Sequence, residues 1–132
     1  IYPALDERIS ESYSVAGSHP IYLEATETRP GHYEYLNMNF YRIANYLELY
    51  VLSSYGDERK FVQIFNEFDL CCYEGTWFKT YEDDVTKTVS NLSKGEFKIY
   101  LDSTHKEHKI SENALNIISK SIENSSKIIS KE

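Results

Sequence analysis

The stretch from Asn39 to Tyr55 constrains the fold more than any other. Phe40, Ile43, Ala44, Leu47, Tyr50 and Val51 fall on one side of a helix with 3.6 residues per turn, and Arg42, Asn45 and Glu48 fall opposite. The pattern predicts a central core helix with Leu47 in the middle of its apolar face. Leu49 and Leu52 break into the polar side, so a second neighbour is expected there, within the domain or in a partner. No residue of the helix forms a recognisable chemical motif.

A chain of 132 residues fits one domain, and residues 1–132 are read as such. Twelve tyrosines make much of the expected burial aromatic. There is no run of about 18 apolar residues that would predict a membrane-spanning helix, and no charged–apolar–small leader opens the chain. The first residue is Ile and not Met, which points to processing or to excision from a longer chain. The two cysteines, Cys71 and Cys72, are neighbours, and a bond between neighbours strains the disulfide. Free thiols are therefore expected, and with them a cytoplasmic location.

Charge is uneven. Residues 1–93 carry seven Lys/Arg against fifteen Asp/Glu, a net of −8, and residues 94–132 carry seven against six, a net of +1. The acidic part is also the aromatic part, since eleven tyrosines and Trp77 precede residue 82. Such a surface repels nucleic-acid phosphate and anionic membrane, and it attracts basic proteins.

Along the chain, Pro3 suits the first turn of a short helix ending by Gly17. Ile21–Thr28 alternates as a strand, Arg29–His32 supplies a turn, and Tyr33–Phe40 alternates again, which predicts an antiparallel hairpin. Phe61, Ile64, Phe65 and Phe68 lie at i, i+3, i+4 and i+7 and predict a helix through about Leu70. Glu74–Tyr81 has strand composition. Thr80 is placed to cap a helix whose inner face is Val85, Val89 and Leu92, with Gly95 closing it. Glu96–Asp102 alternates Phe97, Ile99 and Leu101 as a strand, and Ser111 opens a last helix that frays beyond Asn124. The expected class is α+β: a small antiparallel sheet with four to five helices around the central amphipathic helix, with an all-α fold as the alternative.

Candidate chemistry is sparse. Glu82-Asp83-Asp84 could hold a hard cation, but three acids at the positive end of a helix need no ion to account for them. His105 and His108 share a helical spacing that zinc ligands use, yet no third or fourth ligand is near in sequence, so no metal or cofactor is expected. Cys71 or Cys72 would be a nucleophile only beside a histidine. The glycines stand singly and form no phosphate loop, and no G-x-S-x-G elbow is present.

The interleaving of tyrosine and acid is the more informative pattern. Tyr33, Glu34 and Tyr35, then Glu74, Trp77, Tyr81, Glu82, Asp83 and Asp84, combine rigid aromatic contact area with carboxylates that steer a basic partner. The expected function is an acidic protein-binding domain that inhibits or neutralises a basic protein, as toxin-immunity proteins and nuclease inhibitors do. Two alternatives remain. One is a small hydrolase-type enzyme with His19, His32 or His105 as a general base near a carboxylate; the other is a structural adaptor that packs through Leu49 and Leu52.

Overall fold

Lys60–Asn66 carries two apolar residues on each face, Phe61 and Phe65 on one and Val62 and Ile64 on the other, and it forms the middle strand of a three-stranded sheet. The computed structural model describes residues 1–17, 19–23, 39–69, 71 and 75–129. Strand β1 (Glu11–Val15) lies on one side of β2 (Lys60–Asn66) and β3 (Glu96–Asp102) on the other. Both pairings are parallel, with Tyr13 opposite Val62 and Gln63 opposite Ile99. Among the described residues, four α-helices accompany the sheet: α1 (Tyr2–Leu5), α2 (Tyr46–Ser54), α3 (Glu82–Leu92) and α4 (Glu112–Ile129).

The class is α+β, but the antiparallel sheet expected from the sequence is replaced by an all-parallel one. Parallel neighbours need crossover connections, and here α2 lies between β1 and β2 and α3 between β2 and β3. The central strand is covered on both sides. Phe61 and Phe65 pack with Phe97 against Tyr50 of α2 and Tyr81, Val85 and Val89 beside or within α3. Val62 and Ile64 face the other way, onto Ala114, Ile117 and Ile118 of α4.

That double burial explains why Lys60–Asn66 is a strand and not part of the helix expected from Phe61 onward. A strand buried on both faces shows no polar alternation, so Phe61, Ile64 and Phe65 mimic helical spacing while serving opposite faces of a sheet. Strand β1, ESYSV, is half-buried throughout and falls where the opening helix was expected to continue; that helix is only four residues long. Ile21–Leu23 and Phe40–Arg42 are single 3₁₀ turns, and residues 24–38 of the expected hairpin lie outside the described residues. Trp77–Thr80, read as strand-like, is a 3₁₀ turn as well.

The organising helix is shorter and differently rotated than expected. It begins after Asn45, whose side chain accepts from the Glu48 backbone at 3.0 Å while the Glu48 carboxylate accepts from the Asn45 backbone at 2.7 Å. Leu49 and Tyr50 are buried and Leu47 is only half-buried, so the face centred on Leu47 is the flank of the helix. Ser53 and Ser54 bury their hydroxyls by donating to the carbonyls of Leu49 and Tyr50. Gly95 meets this end of α2 so closely that a Cβ there would lie 1.6 Å from the Ser54 carbonyl oxygen. Close by, Arg59 donates to the carbonyls of Pro3, Asp6, Ile9, Leu52 and Tyr55, fastening the N-terminal segment to the C-terminal end of α2.

Candidate functional site: an acid-edged apolar groove

Helix α2 carries apolar side chains on most of its circumference, and only one side of it can face the sheet. Leu47, Val51 and Leu52 turn toward α3 instead. On α3, Val85 and Val89 point inward, while Asp84, Thr88 and Leu92 recur every four residues along the side facing α2. Between the helices runs an open groove of about 540 Å³, continued at one end by Ile43 and Ala44. Ile43 is 86% exposed, Leu92 58% and Leu52 43%. Glu48 and Asp84 stand on the groove wall among these apolar groups.

The acidic run Glu82-Asp83-Asp84 occupies the first turn of α3, at the positive end of the helix. It is split between two surfaces. Asp84 belongs to the α2–α3 groove, whereas Glu82 and Asp83 line a separate cleft against β3, with Lys98 and Tyr100. Partial burial and the neighbouring Asp83 raise the carboxyl of Glu82 above the ordinary glutamate range.

The aromatic candidates also separate. Trp77 is 39% exposed on its 3₁₀ turn. Tyr81 is a core residue, 1% exposed, and its hydroxyl donates to the buried Gln63 side chain at 2.9 Å, which leaves it no surface for a partner. Tyr33, Glu34, Tyr35 and Glu74 lie outside the described residues. Thr80 does not cap α3; its hydroxyl donates to the Trp77 carbonyl.

The histidines proposed as general bases find different surroundings. His19 is buried, stacked on Phe65 with ring centroids 4.5 Å apart, and burial lowers its pKa to about 4. His105 is held inside the 103–110 loop, with Nε2 3.3 Å from the Lys109 carbonyl and Nδ1 3.7 Å from Asp102. His32 lies outside the described residues.

Sequence reasoning missed a polar cluster beyond the carboxyl ends of β2 and β3. Asn66 and Asp102 are register partners there. Asn66 donates to the carbonyls of Glu107 and Lys109, and the buried Asp102 carboxylate accepts from Thr104, Ser111 and Asn113. Burial acts to raise the Asp102 pKa, but these hydrogen bonds together outweigh it and hold the carboxyl at about 2. The pinned loop brings His108 Nδ1 to 2.6 Å from Asp69 Oδ2, and the Asp69 Oδ1 atom accepts from the Cys71 backbone. Cys71 thus has a histidine beside it after all. Contrary to the expected free thiol, its sulfur is in a disulfide, and the only other cysteine in the sequence is Cys72. A disulfide sulfur is not the thiolate that a cysteine nucleophile requires.

No family model, curated protein or solved structure matches the chain. Among the described residues, no helix is long and apolar enough to cross a membrane.

Proposed function

We propose that the chain is an acidic protein-binding domain that takes a basic amphipathic helix of its partner into the α2–α3 groove. One observation carries this reading: three large apolar side chains stand exposed along a groove whose wall bears Glu48 and Asp84, on a chain of net charge −7. An amphipathic helix docks by burying its apolar stripe in such a groove. Lysines or arginines flanking that stripe would meet the two carboxylates, and the wider negative field would speed encounter. Covering a basic segment in this way would neutralise it, and the role we assign is that of a small acidic inhibitor or immunity protein. Trp77 lies off this groove and is not needed for it.

The test is titration of the full chain with a designed helical peptide carrying Leu on one face and Lys on the other, followed by backbone NMR. Shift changes confined to residues 43–45, α2 and α3, abolished by Leu52→Lys with Leu92→Lys and weakened as salt rises, are expected. Equal binding of a Leu/Glu peptide, or binding indifferent to the double substitution, would overturn the reading. A native partner retained by the wild-type chain and lost with the same double substitution would then identify the target.

A further inference from the structure

The cluster that joins Asp69, Cys71 and His108 lies away from the groove and has the composition of a metal site. One donor atom from each residue, a carboxylate oxygen, a sulfur and an imidazole nitrogen, lies within 4.8 Å of the other two. Ligands bound tetrahedrally to one zinc ion at 2.0–2.3 Å sit roughly 3.3–3.8 Å apart, so small movements bring the three together. Asp69 is fully buried and braced by the Cys71 backbone, while Cys71 and His108 reach solvent and leave a path for an ion. The cluster also sits beyond the carboxyl ends of parallel strands, where open sheets collect their ligands.

We propose that Asp69, Cys71 and His108 form a binding site for a borderline divalent cation, zinc by the chemistry of its donors, that becomes competent when the Cys71 disulfide is reduced. The mixed oxygen, nitrogen and sulfur set disfavours magnesium and calcium, which take oxygen ligands. In the oxidised chain the sulfur is a weak donor. A small dithiol supplies two electrons and two protons, cleaves the S–S bond to two thiols and itself closes to a disulfide. On binding, the Cys71 thiol loses its proton to water and its thiolate takes the cation. The proton shared between His108 Nδ1 and Asp69 moves through solvent to Nε2, freeing both atoms to ligate. Water fills the fourth position.

The test uses the full chain, reduced with a dithiol that is then removed without oxygen, and titrated with zinc or with cobalt(II) as a spectroscopic stand-in. The reduced chain is expected to take up one ion, with a thiolate-to-cobalt absorption band, and the oxidised chain to bind at least tenfold more weakly. His108→Gln and Asp69→Asn should each weaken binding about tenfold or more, and His108→Cys, which restores a ligand, should recover it. Cys72→Ser leaves Cys71 no second cysteine in the chain with which to form a disulfide, so this variant should bind without any reductant. Circular dichroism checks that each variant is folded; should one fail to fold, the cobalt band of the reduced wild-type chain decides. A reduced chain that takes up no zinc, uptake without the thiolate band, or uptake unchanged in His108→Gln would overturn the proposal.

Discussion

Mild acidification should destabilise this protein through one buried ring. His19 is 2% exposed and stacked on Phe65, and burial holds its pKa at about 4 against an ordinary 6.5. Above pH 6.5 the ring is neutral in both the folded and the unfolded chain and adds no pH dependence. Between 6.5 and about 4 the unfolded chain takes a proton that the folded chain refuses, so stability falls as pH falls. At about 1.4 kcal/mol per pH unit the full interval amounts to about 3 kcal/mol, a large share of the 5–15 kcal/mol typical of a domain. Urea melts at pH 7 and pH 4.5, followed by the fluorescence of the single tryptophan, Trp77, measure this directly. The expected loss of about 2.5 kcal/mol would move the midpoint by about 1 M or more. His19→Phe keeps the stacked ring but cannot take a proton, and it should remove most of the slope. An unchanged midpoint in the wild-type chain, or an equal slope in His19→Phe, would refute the argument.

Three further outcomes are expected. A second acid limb should open below pH 3.8, because the Asp102 carboxyl is held at about 2; about 2 kcal/mol present above 3.8 is lost as pH falls through 2, and Asp102→Asn should lack that limb in the same melts. Gly95→Ala should cost about 3 kcal/mol or more by urea denaturation, since its Cβ would overlap the Ser54 carbonyl, part of the backbone and unable to swing aside like a side chain; a near-wild-type melt would mean that α2 and the α3–β3 turn separate easily. Tyr50→Ala should cost about 3–5 kcal/mol and Leu47→Ala clearly less, because Tyr50 packs on Phe61, Tyr81 and Phe97 whereas Leu47 lines the open groove; the reverse order in thermal melts would restore the helix rotation expected from spacing alone.

Elements whose physics is local were legible in the chain itself. Strand β3 alternates because one of its faces meets the helices, and α4 opens at Ser111, whose hydroxyl accepts from the Ala114 backbone as its cap position requires. The acids of the first turn of α3 follow from the helix dipole, and Val85 and Val89 from its inward face. Only the tertiary structure decided that Phe61–Phe65 is a strand, because burial on both faces erases the alternation that marks a strand in sequence. The same fact hid the polar cluster: a helix through Leu70 gives Asp69 no reason to meet a histidine. Parallel register sets Asn66 beside Asp102, and the loops leaving those two strand ends carry Asp69 and His108 together across 39 residues of sequence. The groove has a similar origin. Apolar residues around α2 say that it wants neighbours on two sides, but only the tertiary packing decides which is covered: Leu49 is buried on the side of the N-terminal segment and β1, and Leu52 is left facing water in the groove beside α3.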